Sequence, residues 1–152
     1  MDFCDFNLLD VTSCTSCGFS TNILENFRSQ SNRNAPFNVE QFQEGWEERM
    51  QSLLEKIKDP AAFMSEERDL EMALLSYDLA METHKRLSEV ADTPYANVRK
   101  MASLNMVKAE MLSEAGRIDE AKAALKEIIE WLEPIFEQLD KVEIIKACLL
   151  LF

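Results

Sequence analysis

Beyond residue 38 the apolar residues recur at three- and four-residue steps, the spacing of a helix with one buried face. Val39, Phe42, Trp46, Met50, Leu53 and Ile57 make the first such row. Asn38 opens it as a cap with Gln41 three residues later, and Asp59-Pro60 closes it. A second helix is expected from Ser65 as cap to Asp92, along Leu70, Ala73, Leu74, Tyr77, Ala80, Met81, His84, Leu87 and Ala91. Thr93-Pro94 gives a third helix a cap oxygen and a first-turn ring that misses no amide. Its row of Val98, Met101, Ala102, Met106, Ala109 and Leu112 ends at Gly116. The fourth helix carries Ile118, Ala121, Ala124, Leu125, Ile128, Ile129 and Leu132. Glu133-Pro134 is expected to break it, with a fifth helix from Pro134 to the end through Phe136, Leu139, Val142, Ile145 and Leu149.

Residues 1–38 show no steady period, and runs such as Ser29-Gln30-Ser31-Asn32-Arg33-Asn34 favour turns. Yet Phe3, Phe6, Leu8, Leu9, Phe19, Ile23, Leu24 and Phe27 are too many large apolar groups for a solvated tail, so part of this segment is expected to pack on the helices or on a partner. The chain therefore reads as an irregular, partly apolar arm over 1–38 followed by an all-helical domain over 39–152. The fold class is all-α: antiparallel helical hairpins, stacked as a short array or closed as a bundle.

Composition supports helix over sheet, with only 3 Gly and 4 Pro in 152 residues. The 28 acidic against 16 basic residues give a net charge of -12, a field that repels nucleic acid and anionic membrane surfaces. The longest apolar run, Ala147 to Phe152, is far short of the roughly 20 residues that span a bilayer. Asp2 and Asp5 stand where a secretory signal would carry bases, which points to a cytoplasmic protein with reduced thiols.

Ala115-Gly116-Arg117-Ile118-Asp119-Glu120-Ala121-Lys122-Ala123-Ala124-Leu125-Lys126-Glu127-Ile128, continuing to Pro134, resembles a tetratricopeptide repeat. Gly stands at the interhelix turn, Asp-Glu-Ala begins the second helix, and apolar residues follow four and seven positions beyond that Ala. In that pattern small Ala121 lets the paired helices approach while Leu125 and Ile128 fill the space between hairpins. Ala73, Tyr77 and Ala80 echo it at 121 - 73 = 48 residues upstream, longer than the usual period of about 34. The resemblance spans about residues 66–134 and is irregular. It implies a peptide groove on the first helix of the hairpin, residues 94–115, with Ser103, Met106, Glu110, Ser113 and Glu114 facing it. The family's clamp for a C-terminal carboxylate has no counterpart, because Val107 and Glu110 stand at its Asn positions. The implied partner segment is thus basic or apolar, with Met106 as an adaptable contact.

Cys14-Thr15-Ser16-Cys17-Gly18 has the form of a zinc knuckle, but a structural zinc needs four ligands and only Cys4 is otherwise near in sequence. No metal and no cofactor are expected on that count, and the thiols read as free. His84, the single histidine, has Ala80, Met81, Leu87 and Ser88 at helical spacing and reads as a core residue rather than a base. Trp46 and Trp131 read as core anchors. The apolar ending, Leu150 and Phe152 above all, is expected to dock on this domain, a second copy or a partner. Together these features favour a non-enzymatic protein-binding adaptor or scaffold. The alternatives are a structural subunit of a larger assembly and a small thiolate zinc protein.

Overall fold

The computed structural model describes residues 6–23, 37–91 and 95–138. In chain order the elements are α1 (Phe6–Leu9), β1 (Thr12–Ser13), β2 (Ser20–Thr21), α2 (Val39–Gln43), α3 (Trp46–Leu54), α4 (Pro60–Phe63), α5 (Leu70–Val90), α6 (Tyr95–Glu114) and α7 (Ile118–Gln138). The all-α expectation holds, with one addition. The two short strands pair antiparallel, Thr12 opposite Thr21 and Ser13 opposite Ser20.

The helix starts follow local chemistry. Asn38 caps α2 by accepting from the Gln41 amide, Asp59 caps α4 with Pro60 in its first turn, and Asp69 caps α5 by accepting from the Met72 amide. Two expected boundaries move. The helix expected over 39–58 is split at Gly45, whose φ of 70° belongs to the left-handed region and redirects the chain between α2 and α3. The second long helix begins at Leu70 rather than after Ser65. Ser65 closes a turn instead, its hydroxyl donating to Ala62 O and accepting from the Glu67 amide, while Arg68 swings inward.

At the other end of the hairpin, α6 closes as expected at Gly116, with φ of 77°. The Gly116 amide reaches Ser113 O at 3.0 Å and the Arg117 amide reaches Leu112 O at 2.8 Å, the paired bonds that satisfy the last carbonyls. The break expected at Glu133-Pro134 is absent: α7 runs through Pro134 to Gln138. Proline removes the amide that would bond Glu130 O, but Glu130, Glu133 and Pro134 all lie on the exposed face, where solvent can take the place of the lost donor. Residues 134–138 of the expected fifth helix thus continue α7; its remainder, like Thr93-Pro94, Leu150 and Phe152, lies outside the described residues.

α5 lies between two apolar cores. On one side Leu74, Tyr77, Ala80 and Met81 pack with Leu104, Met111 and Leu112 of α6, Ala121 and Ala124 of α7, and Val11. On the other, Leu79 and Leu87 pack with Phe19, Phe42, Trp46, Met50 and Phe63. Small residues let the helices close: Ala73, Ser76, Ala80 and Thr83 of α5 are fully buried. At the α6–α7 crossing the buried Asn105 amide donates to Ala124 O at 2.7 Å, a contact only a near approach of the two backbones permits.

The described part of the N-terminal arm is built into this arrangement rather than hung beside it. Tyr77 donates its hydroxyl to Asn7 O, and Ser20 donates its amide to the Thr83 hydroxyl. Both bonds tie the first residues to α5.

Candidate functional site

A cleft of about 560 Å³ opens between the α3–α4 connection and α7, floored by α5 and α6. Half-buried Ile57, Met72 and Leu75 give it an apolar base. Six acids (Asp59, Asp69, Glu71, Asp78, Glu120 and Glu127) and four bases (Lys56, Lys58, Lys108 and Arg117) surround that base, so the rim is acidic on balance. Lys108 pairs with Asp78 at 2.5 Å across the floor, and Arg117 joins Glu71 of α5 to Glu120 of α7. The Arg117 hydrogen bond holds the Glu120 carboxyl below its usual range. These pairs use two of the bases, and they bridge α5 to α6 and α5 to α7 where the cleft opens.

The five residues implied by the repeat resemblance share one exposed face of α6: Ser103, Met106, Glu110, Ser113 and Glu114. Met106 is 44 % exposed. Lys108 and Leu112, which line the cleft, lie on the opposite side of the same helix at 100° per residue. These five residues thus share a face that does not open on the cleft, which is lined in part by residues outside the expected apolar rows, such as Met72, Leu75 and Glu127. Of the apolar pair expected to fill the space between hairpins, Ile128 is buried beside Ala102 and Leu132, and Leu125 is exposed together with Ile118 and Ile129. No described element packs on that side of α7.

A second place of chemical interest is the turn between β1 and β2. The Cys14 amide donates to Phe19 O and the Gly18 amide to Cys14 O, each at 2.8 Å, so the six residues close a tight loop. Gly18 has φ of 77°, a backbone conformation that calls for glycine, and a Cβ there would press on the flexible end of Met50, 2.8 Å from its Cε. The Trp46 indole donates to Cys17 O at 2.7 Å and pins the loop to α3. Both thiols are free; Cys14 is half-buried and Cys17 exposed. Burial works to raise the Cys14 thiol, but hydrogen bonds from the Cys17 amide and thiol and the Ser16 amide outweigh it and hold it below its ordinary value. Burial pushes the Cys17 thiol up, and the adjoining Cys14 sulfur adds to this against the Phe19 amide. Among the described residues no group of three His, Cys, Asp or Glu side chains is placed to hold a metal. Cys4 lies outside them.

His84 is buried, as its place in the apolar row indicates, but it has partners the row did not show. Its Nδ1 is 3.1 Å from Asn97 Oδ1 on α6 and its Nε2 is 3.2 Å from the Thr21 hydroxyl on β2. A carboxamide oxygen only accepts, so Nδ1 carries the proton and neutral Nε2 accepts from Thr21. Burial first, and then the charge of Lys100, push the His84 pKa below 6.5 against the Asn97 bond. The unfolded chain then binds a proton that the folded chain refuses. Stability contributed by neutral His84 is complete above about pH 6.5 and falls as pH drops below it, by at most about 1.4 kcal/mol per pH unit. Urea denaturation between pH 7.5 and 5.5 should show this loss, and His84→Gln should flatten it. An equal pH dependence in the variant would assign the loss to other groups.

No described helix is long and apolar enough to cross a membrane. No curated protein and no solved structure matches the chain. One family profile does, across residues 4–151. Since that match takes in both cores, the thiol turn and the cleft, the chain belongs to the family described as uncharacterized protein conserved in bacteria (DUF2225).

Proposed function

We propose that the chain is a non-enzymatic, cytoplasmic protein-binding module that holds a basic and apolar segment of another protein in the cleft between the α3–α4 connection and α7. The cleft itself carries this reading. Its apolar base offers burial to a side chain such as Leu or Met, worth roughly 1.5–3 kcal/mol each, and its acidic rim suits a Lys or Arg beside it. The net charge of -12 attracts such a segment and disfavours nucleic acid or an anionic bilayer as the partner. The α6–α7 hairpin, with small residues at the crossing and glycine at the turn, supports kinship with repeat scaffolds that work in this way. A random peptide display library panned on the full chain is the direct test. Basic-apolar peptides should be enriched, and Met72→Glu with Glu127→Lys should lower their affinity about tenfold or more with the helical circular dichroism unchanged. No enrichment, or binding indifferent to that pair, would overturn the proposal.

The exposed face of α6 is a second reading, favoured by the 44 % exposure of Met106 in its middle. Reversing the charge of Glu110 and Glu114 in the same assay separates the two faces.

A further inference from the structure

From the shape of the β1–β2 turn, we propose that Cys14 and Cys17 are two ligands of a soft divalent metal ion such as zinc. Backbone amides, not sequence spacing alone, carry the inference. Ser16 and Cys17 direct their N–H groups at the Cys14 sulfur, and Phe19 directs its own at the Cys17 sulfur. Such donors favour sulfur as the thiolate, the form that ligates metal; at Cys14 they outweigh burial, and at Cys17 burial and the neighbouring sulfur outweigh them while no cation is bound. A dithiol that merely packs needs no such donors. The loop is also fixed before any ion arrives. Trp46 holds Cys17 O, Met50 fills the space over Gly18, and the Ser20 amide is anchored on Thr83. The two sulfurs adjoin each other at the surface, where two thiolates without a cation between them repel. An ion coordinated by both removes that repulsion. Zinc takes four ligands, so this turn supplies two of them and leaves two positions for other donors.

The full chain, stripped of metal under reducing conditions, should be titrated with cobalt(II). The expected result is a thiolate-to-cobalt charge-transfer band that zinc displaces. Cys14→Ser or Cys17→Ser should each weaken cobalt binding at least about tenfold, the double variant should lose the band, and Cys148→Ser should retain it. A chain without the band, or a double variant that keeps it, overturns the assignment. Serine also alters the turn, so a second measurement uses the unaltered protein. Zinc should slow iodoacetamide labelling of Cys14 and Cys17, read peptide by peptide in a mass spectrometer, by about tenfold or more. Labelling that ignores zinc refutes the site.

Discussion

Replacing Trp46 with alanine should cost about 3–5 kcal/mol of folding stability, read as a shift in the urea midpoint of the circular dichroism transition. The indole is 4 % exposed, its ring lies 4.6 Å from that of Phe42, and its N–H is the donor for Cys17 O. Alanine therefore opens a cavity in the core shared by α2, α3 and α5, and at the same time leaves a carbonyl of the thiol turn without its donor. Small domains are stable by about 5–15 kcal/mol, so a loss of this size takes a large share of the total. Trp46→Phe restores most of the ring volume but not the donor, and should fall between the two. A midpoint unmoved by Trp46→Ala would mean that the turn and the helices are not coupled through this side chain.

Arg68→Met should destabilise by about 2–4 kcal/mol, although methionine is close in volume and free of charge. The guanidinium is 6 % exposed, and among the described residues no carboxylate pairs with it. It donates instead to three main-chain carbonyls: Phe63 O at 2.9 Å, Val11 O at 2.9 Å and Leu8 O at 3.3 Å. It also lies 5.0 Å from the centre of the Phe63 ring. A buried ion pair is often replaced by an apolar residue without loss, but here the change would strand carbonyls from two separate segments. The effect should be local as well as global. Amide exchange in residues 8–13 should quicken more than in α7, and equal protection in both variants would argue against a role for Arg68 in seating the N-terminal segment. Lysine should not substitute, because a single ammonium cannot reach carbonyls from both sides as a planar fork does.

Much of the helical frame was legible in the sequence because it rests on local rules. The Asn38 cap, the turn at Gly116 and the inward row of Ala121, Ala124, Ile128 and Leu132 each depend on a few neighbouring residues. What was not legible depends on distant contact. Gly45 breaks a row of otherwise regular spacing, and nothing in the spacing shows that the chain must turn there. Ser65 is as good a cap by type as Asp69. The choice falls to Asp69 because Arg68 must reach carbonyls some sixty residues away in the chain, Leu8 and Val11. Pro134 by its chemistry predicts a break, but its position on the exposed side of α7 makes the lost bond tolerable.

The candidate sites follow the same division. Cys-x-x-Cys-Gly followed by an aromatic was a sufficient signal for a glycine-dependent turn, and it could have been read as a hairpin. The cleft could not have been found this way. Its walls come from the α3–α4 connection, α5 and α7, and residues that line it, such as Leu75 and Glu127, stand outside the apolar rows that mark these helices. The partners of His84, Thr21 and Asn97, sit on other elements, so the spacing along its own helix does not show them.

The position of α5, with an apolar core on each flank, has a consequence for how the molecule comes apart. One wall serves two rooms: any fragment that omits α5 loses Leu79 and Leu87 from one interior and Tyr77 and Leu74 from the other. Neither the thiol turn nor the α6–α7 pair is therefore an independent unit that could melt, be excised or be transplanted alone. Ligation at either place would be felt as added resistance to denaturation throughout the chain.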